Sequence, residues 1–264
     1  MDNQAYPNVK DLLILFLILL LFMIGIGAVS GLYQLIPNVP TSPLIQSFQN
    51  LVAYTISLLA TIWYASRKSK KSQPDIFSLD FNPFPAWLIP VLIITTLALT
   101  VGMDRLASLI PMPDNIARFF DSLFNNDIFS IIMISVAAPI LEETLCRGIV
   151  LKGLLQHYPA RRAIIYSALF FALIHLNPWQ SIPAFFAGLF LGWVYYKTKS
   201  VIPGIIVHAV SNTTAVLFMF LPKEQQDYLG WLGMPVYILV CIIAMVVFVA
   251  GCWYIQKRMP AGSH

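Results

Sequence analysis

Residues 128–155 read IFSIIMISVAAPILEETLCRGIVLKGLL, an apolar run of membrane-crossing length that carries Pro139, the adjacent acids Glu142 and Glu143, and Arg147. Ionised side chains near the bilayer centre cost roughly 2.5–3.5 kcal/mol on insertion scales, so carboxylates in such a helix mark a functional site by default. Glu143 and Arg147 stand four residues apart with the acid N-terminal, the favourable order for an intrahelical ion pair. Glu142 is turned about 100° away from Glu143. It therefore does not share Arg147 in the same way, and is left for chemistry.

The rest of the chain is of the same kind. It is 58% hydrophobic and only 11% charged, with a mean hydropathy of +0.76, against about 25% charged residues in soluble domains. The expectation is an all-α fold, a polytopic transmembrane helix bundle of about eight spans. Working outward from 128–155, the earlier spans are Leu12 to Leu35, Ile45 to Ala65 and Trp87 to Met103. The later ones are Ala163 to Leu176, Ile182 to Tyr196, Val201 to Leu221 and Met234 to Ile255. The first run exceeds a signal-peptide core in length and reads as an uncleaved anchor. The fifth is short for a full crossing. On the sixth, Gly188 and Gly192 stand four apart, as small residues at a close helix contact do.

Between the third and fourth spans, Pro111 to Asp127 sets Ile116, Phe119, Phe120, Leu123 and Phe124 at helical spacing among Asp114, Arg118 and Asp121, the pattern of an amphipathic surface helix. Lys223 to Gly233 reads as a polar loop. The chain thus divides into residues 1–127 (three spans and the surface segment), 128–221 (four spans with the site) and 222–264 (the last span and tail).

The net charge of +4 follows from topology rather than an anionic partner, and no nucleic acid is expected. With the N-terminus inside, Arg105, Arg118 and Lys223 fall outside and Arg147 lies within a span. The remaining twelve of the 16 Lys and Arg residues fall inside. By the positive-inside rule both termini are cytoplasmic. Cys146, Cys241 and Cys252 follow neither a disulfide nor a zinc-ribbon spacing and read as packing residues. No internal repeat points to a transporter's inverted halves.

Other polar groups answer the carboxylates. His175 lies on the fifth span and His208 on the seventh, with Asn212 one turn after His208 on the same face. Counting 1.5 Å per residue from the cytoplasmic ends puts Glu142, His175 and His208 roughly 10–18 Å deep, in one band. Such a set suits water activation by Glu142 with His175, and oxyanion stabilisation by His208 and Asn212, with Glu143 and Arg147 as braces. The residues alone leave the reaction open. A proton-coupled transporter or channel would use the same Glu/His cluster as a relay, and a membrane scaffold would keep the fold without chemistry.

Three ordered motifs resolve the choice by resemblance. E-E-x-x-x-R at Glu142, Glu143 and Arg147, F-x-x-x-H at Phe171 and His175, and H-x-x-x-N at His208 and Asn212 resemble those of the CPBP family, the CAAX proteases and bacteriocin-processing (Abi) intramembrane endopeptidases related to the Ras-converting CAAX endopeptidase. The likeness covers about Ile128 to Phe220. It implies an all-helical intramembrane protease in a bacterial plasma membrane, its site opening toward the cytoplasmic half. The implied substrate is a membrane-associated or lipidated peptide or protein, and the implied role is peptide processing or bacteriocin self-immunity. It carries Glu142, His175, His208 and Asn212 over as catalytic, and Glu143, Arg147 and Phe171 as supporting. Because the family has been described as metalloproteases, Zn2+ on Glu142, His175 and His208 is the alternative. Asn212 is a poor zinc ligand and no H-E-x-x-H helix is present, so metal-free glutamate catalysis is preferred.

Overall fold

The quoted stretch forms the central helix of the bundle, and its irregularities follow from its sequence. In the computed structural model the described residues are 5–37, 39–72, 79–107, 111–113, 115, 125–222 and 228–259. The expected surface helix within Pro111 to Asp127 falls largely outside them, as does the first part of the expected polar loop, residues 223–227. Helix α1 is Val9–Gln34, α2 Pro43–Ser72 and α3 Leu88–Ala107. The central helix α4 runs Ile128–Leu154, followed by α5 Ala160–Leu173, α6 Pro178–Thr198, α7 Ile202–Met219, α8 Tyr228–Leu232 and α9 Met234–Arg258. Among the described residues there is no strand, only an isolated bridge between Phe81 and Ser200.

Each predicted span is thus a helix. Among the described residues four stretches are long and apolar enough to cross a membrane, namely Val9–Tyr33, Ile128–Leu154, Ile202–Met219 and Met234–Arg258. The apolar part of α3 is shorter, and α5, with 14 residues, is about 21 Å long against a hydrocarbon core of about 30 Å. The stretch expected to be a polar loop before α9 contains α8, whose sequence YLGWL is apolar and followed by Gly233 at φ 74°. The outer faces of α1 and α9 expose Leu17, Leu21, Ile24, Leu239, Ile242 and Val246, a surface suited to lipid rather than water.

Helix α4 is not a regular α-helix: Met133–Ala137 and Thr144–Leu151 are π-helical. The first widening is explained by Pro139. The Ala138 amide bonds back five residues to the Met133 carbonyl. In that register the Ile134 carbonyl would await the amide of residue 139, which is proline and has none. The second widening ends where the Lys152 amide bonds to the Arg147 carbonyl, and every residue from Thr144 to Leu151 is buried.

Around α4, α1 pairs with α2, α5 with α6, and α3 with α7 and α9. The α5–α6 pair comes close because of its glycines, as their spacing predicts. A Cβ at Gly188 would stand 3.1 Å from Ala168, and one at Gly192 would stand 3.1 Å from Ile164. Two extended segments lock the predicted cytoplasmic ends. Asp80 accepts from Lys152 Nζ of α4 at 2.7 Å, from the Tyr195 hydroxyl of α6 at 2.6 Å and, through its carbonyl, from the Val201 amide at 2.7 Å. Ala5 to Pro7 lies against the end of α4: Tyr6 and Pro7 sit where a side chain at Gly153 would clash, and His157 Nε2 bonds the Ala5 carbonyl at 2.5 Å.

Candidate active site

Glu143 and Arg147 form the buried centre of the site. Both side chains are fully buried, and Arg147 Nη1 lies 2.5 Å from Glu143 Oε1, so the ion pair read from the four-residue spacing is present despite the π-helical turn. A second Arg147 nitrogen, Nη2, donates to the Gly188 carbonyl of α6 at 3.1 Å. Desolvating a lone charge would cost several kcal/mol, which is why both partners and the extra carbonyl are needed. Gly204 of α7 lets that helix approach the acid, since a Cβ there would stand 2.8 Å from Glu143 Oε2.

His208, from α7, joins the same carboxylate: its Nδ1 is 3.1 Å from Glu143 Oε1. A carboxylate only accepts, so Nδ1 carries the proton and Nε2 is left for another partner. One turn on, Asn212 Nδ2 donates to the Ile134 carbonyl at 2.9 Å. That carbonyl is the one Pro139 leaves without an amide, so the proline that widens α4 also creates the acceptor that seats Asn212. The amide of Asn212 has two N–H groups, and the second is not needed for this bond.

Phe171 of α5 is the apolar hub. Its ring is buried, with Arg147 Cζ 4.5 Å from its centroid and the rings of His175 and His208 edge-on at 5.0 and 5.4 Å. His175 stands just past the end of α5, in the corner that turns through Leu176 (φ 60°) into the Asn177 cap of α6. Its Nδ1 lies 2.8 Å from the Phe171 carbonyl. A carbonyl cannot donate, so again the proton sits on Nδ1 and Nε2 carries the lone pair.

Glu142 departs from the sequence reading in its partner. The Tyr54 hydroxyl of α2 donates a short hydrogen bond to its Oε1, and no described hydrogen bond joins Glu142 to His175. Its Oε2 is buried without a hydrogen-bond partner. The carboxylate borders a cavity of about 20 Å³ lined also by Leu19, Met23, Ser57, Leu58 and Ile174, enough room for one water, which needs about 10–15 Å³. Tyr54 was not singled out from the sequence. Its one signal is a phenol at the middle of a span among Ser57 and Thr61, which sequence distance does not connect to Glu142.

Described contacts thus link Glu143, Arg147, Phe171, His175 and His208, whereas those of Glu142 and Asn212 run to Tyr54 and to the Ile134 carbonyl. Among the described residues no group of three or more His, Cys, Asp or Glu side chains converges as metal ligands do. The zinc set Glu142, His175 and His208 does not fit a common centre. Each imidazole donates Nδ1–H to a protein oxygen and leaves Nε2, which a metal-bound histidine also does, and Glu142 Oε1 accepts from a phenol.

Residues 124–214 match the family model of the type II CAAX prenyl endopeptidase Rce1-like proteins. The chain is 31% identical over 101 residues to the membrane-embedded CAAX protease MroQ of Staphylococcus aureus (strain USA300), a match covering 36% of this chain and 40% of that protein. The chain thus aligns with less than half the length of that curated relative. No solved structure matches it. The matched segment contains α4, α5 and α6 and the site residues of α7, and over it this multi-pass membrane protein is similar to CAAX proteases.

Proposed function

We propose that the chain is an intramembrane endopeptidase in which Glu142 takes a proton from water as that water attacks the peptide carbonyl of a membrane-associated or lipidated substrate. The observation that carries this is the free, buried Oε2 of Glu142 beside a water-sized cavity, on the helix whose next acid is locked to Arg147 and His208. Both acids leave Oε2 without a hydrogen-bond partner, but Glu143 already holds Arg147 and His208 through Oε1, whereas Glu142 borders the cavity. His175, with its lone pair on Nε2, assists the proton transfer. The second N–H of Asn212 and Nε2–H of His208 stabilise the oxyanion. With Nδ1 already donating to Glu143, His208 donates from Nε2 only as the imidazolium, and Glu143 supplies the counter-charge.

The reading includes eight spans with both termini cytoplasmic, the division at residues 127/128 and 221/222, and a site reached from the cytoplasmic half of a bacterial plasma membrane. It takes the reaction to be metal-free, supported by the poor fit of Asn212 as a zinc ligand and by the finding that no three metal-binding side chains converge among the described residues. Its biological setting is peptide processing or bacteriocin self-immunity.

The decisive experiment is cleavage of membrane and lipidated peptides by the purified wild type and Glu142→Ala in parallel. A loss of about 10²- to 10⁴-fold is expected for removal of a general base, and equal cleavage by both would refute the assignment. Chelator-treated enzyme is expected to retain its rate. Stoichiometric zinc whose removal abolishes cleavage would overturn the metal-free route.

A further inference from the structure

The bond between Tyr54 and Glu142 joins residues 88 apart in sequence, and Tyr54 lies on α2, outside the matched segment 124–214. A carboxylate has two oxygens and, when ionised, only accepts. Here the two are not equivalent: Oε1 holds the Tyr54 hydroxyl, while Oε2 is buried with no partner. The cavity beside the pair is walled by the aliphatic side chains of Leu19, Met23, Leu58 and Ile174. Two of these belong to α1 and one to α2, so both N-terminal helices help to enclose Glu142.

We propose that Tyr54 is the positioning residue for the general base. By holding Oε1 it fixes the plane of the carboxylate and makes Oε2 the oxygen that receives the proton. In that step a water O–H bond breaks and its proton goes to Oε2. The water oxygen bonds to the peptide carbonyl carbon, and the carbonyl π pair moves to the oxyanion. The inference rests on the reading of Glu142 as base, and extends the machinery to a helix outside the family segment. It gives the N-terminal helices a chemical task in addition to packing.

The test compares kcat and KM for wild type, Tyr54→Phe, Glu142→Ala and enzymes with mono-, di- or trifluorotyrosine at position 54, each checked for folding by thermal unfolding in detergent. Tyr54→Phe keeps the ring and removes the donor. It is expected to lower kcat about 10- to 100-fold, the scale of a hydrogen bond to a charged group, with KM within about twofold. Fluorination keeps the shape but strengthens the donor, and a more tightly held carboxylate is a weaker base, so kcat should fall stepwise with each fluorine. A packing role would leave kcat flat across the fluorotyrosine series, and that result overturns the proposal. So does a Tyr54→Phe enzyme of wild-type kcat when Glu142→Ala is inactive. Wild-type cleavage by Glu142→Ala removes the general-base reading itself, a separate outcome.

Discussion

Arg147 lays its guanidinium carbon 4.5 Å from the centre of the Phe171 ring while two of its nitrogens bond Glu143 and the Gly188 carbonyl. The same ring meets His175 and His208 edge-on. One side chain of α5 thus sets the positions of a cation on α4 and of both candidate catalytic imidazoles.

Replacing that ring by a smaller aliphatic group separates packing from catalysis. Phe171→Leu loses a desolvated cation–π contact and two aromatic pairs, and is expected to cost about 1–3 kcal/mol of stability. The proteolytic rate should fall at least about tenfold at a temperature where the variant remains folded, since small misplacements of catalytic groups are expensive. Arg147→Ala should be far worse for stability, by roughly 3–5 kcal/mol, because it strands Glu143 as a buried charge. Thermal unfolding in detergent alongside cleavage assays separates the two. A rate unchanged in Phe171→Leu would show that the ring does not orient the histidines.

Gly204→Ala adds a single methyl carbon, which would stand 2.8 Å from Glu143 Oε2. Either α7 retreats or the carboxylate moves, and both displace His208, whose Nδ1 is held by that acid. A fall in kcat of about 10- to 100-fold is expected. The control Gly102→Ala places its methyl 3.6 Å from the Met245 methyl carbon, an ordinary contact, and should leave the rate unchanged. Equal rates for the two variants would argue against the importance of the approach at Gly204.

Asn212→Ala removes the donor to the Ile134 carbonyl and, on the proposed mechanism, one oxyanion donor. Loss of such a donor costs about 10²- to 10³-fold in kcat. Pro139→Ala restores a backbone amide at the position whose absence leaves that carbonyl for Asn212. It is expected to regularise α4 near Ile134 and to weaken the seating of Asn212. A kcat for Asn212→Ala within threefold of wild type would remove Asn212 from the oxyanion assignment.

Asp80→Ala tests whether the link between α2 and α3 holds the core. It removes the acceptor for Lys152 and for the Tyr195 hydroxyl, while the Asp80 carbonyl can still take the Val201 amide. Two charge-assisted bonds, at side chains that are 15–20% exposed for the ion pair, predict a loss of about 1–3 kcal/mol. Hydrogen exchange at the amides of residues 195–202 should rise in parallel. Unchanged stability and exchange would mean that the link rests on the core without holding it.

The helices were legible because apolar length and the positive-inside pattern act locally. The ion pair of Glu143 with Arg147 was legible because four residues on one helix nearly always share a face. Motif order fixed which helices must meet. The fine registry was not legible. The first π-helical turn of α4 arises where Pro139 withholds an amide and a neighbouring helix supplies Asn212 to the carbonyl so exposed.

What the sequence determined by itself, then, was a helical membrane protein with a buried polar centre on α4, because burial of charge is forbidden without a partner and only certain residues were available. Which partner each acid takes was decided by the tertiary structure. α7 brings His208 onto Glu143, α2 brings Tyr54 onto Glu142, and the cavity left between α1, α2, α4 and the end of α5 borders Glu142. Hydrogen bonds between helices depend on register and rotation to within a fraction of an ångström, a precision that spacing along a single helix does not carry.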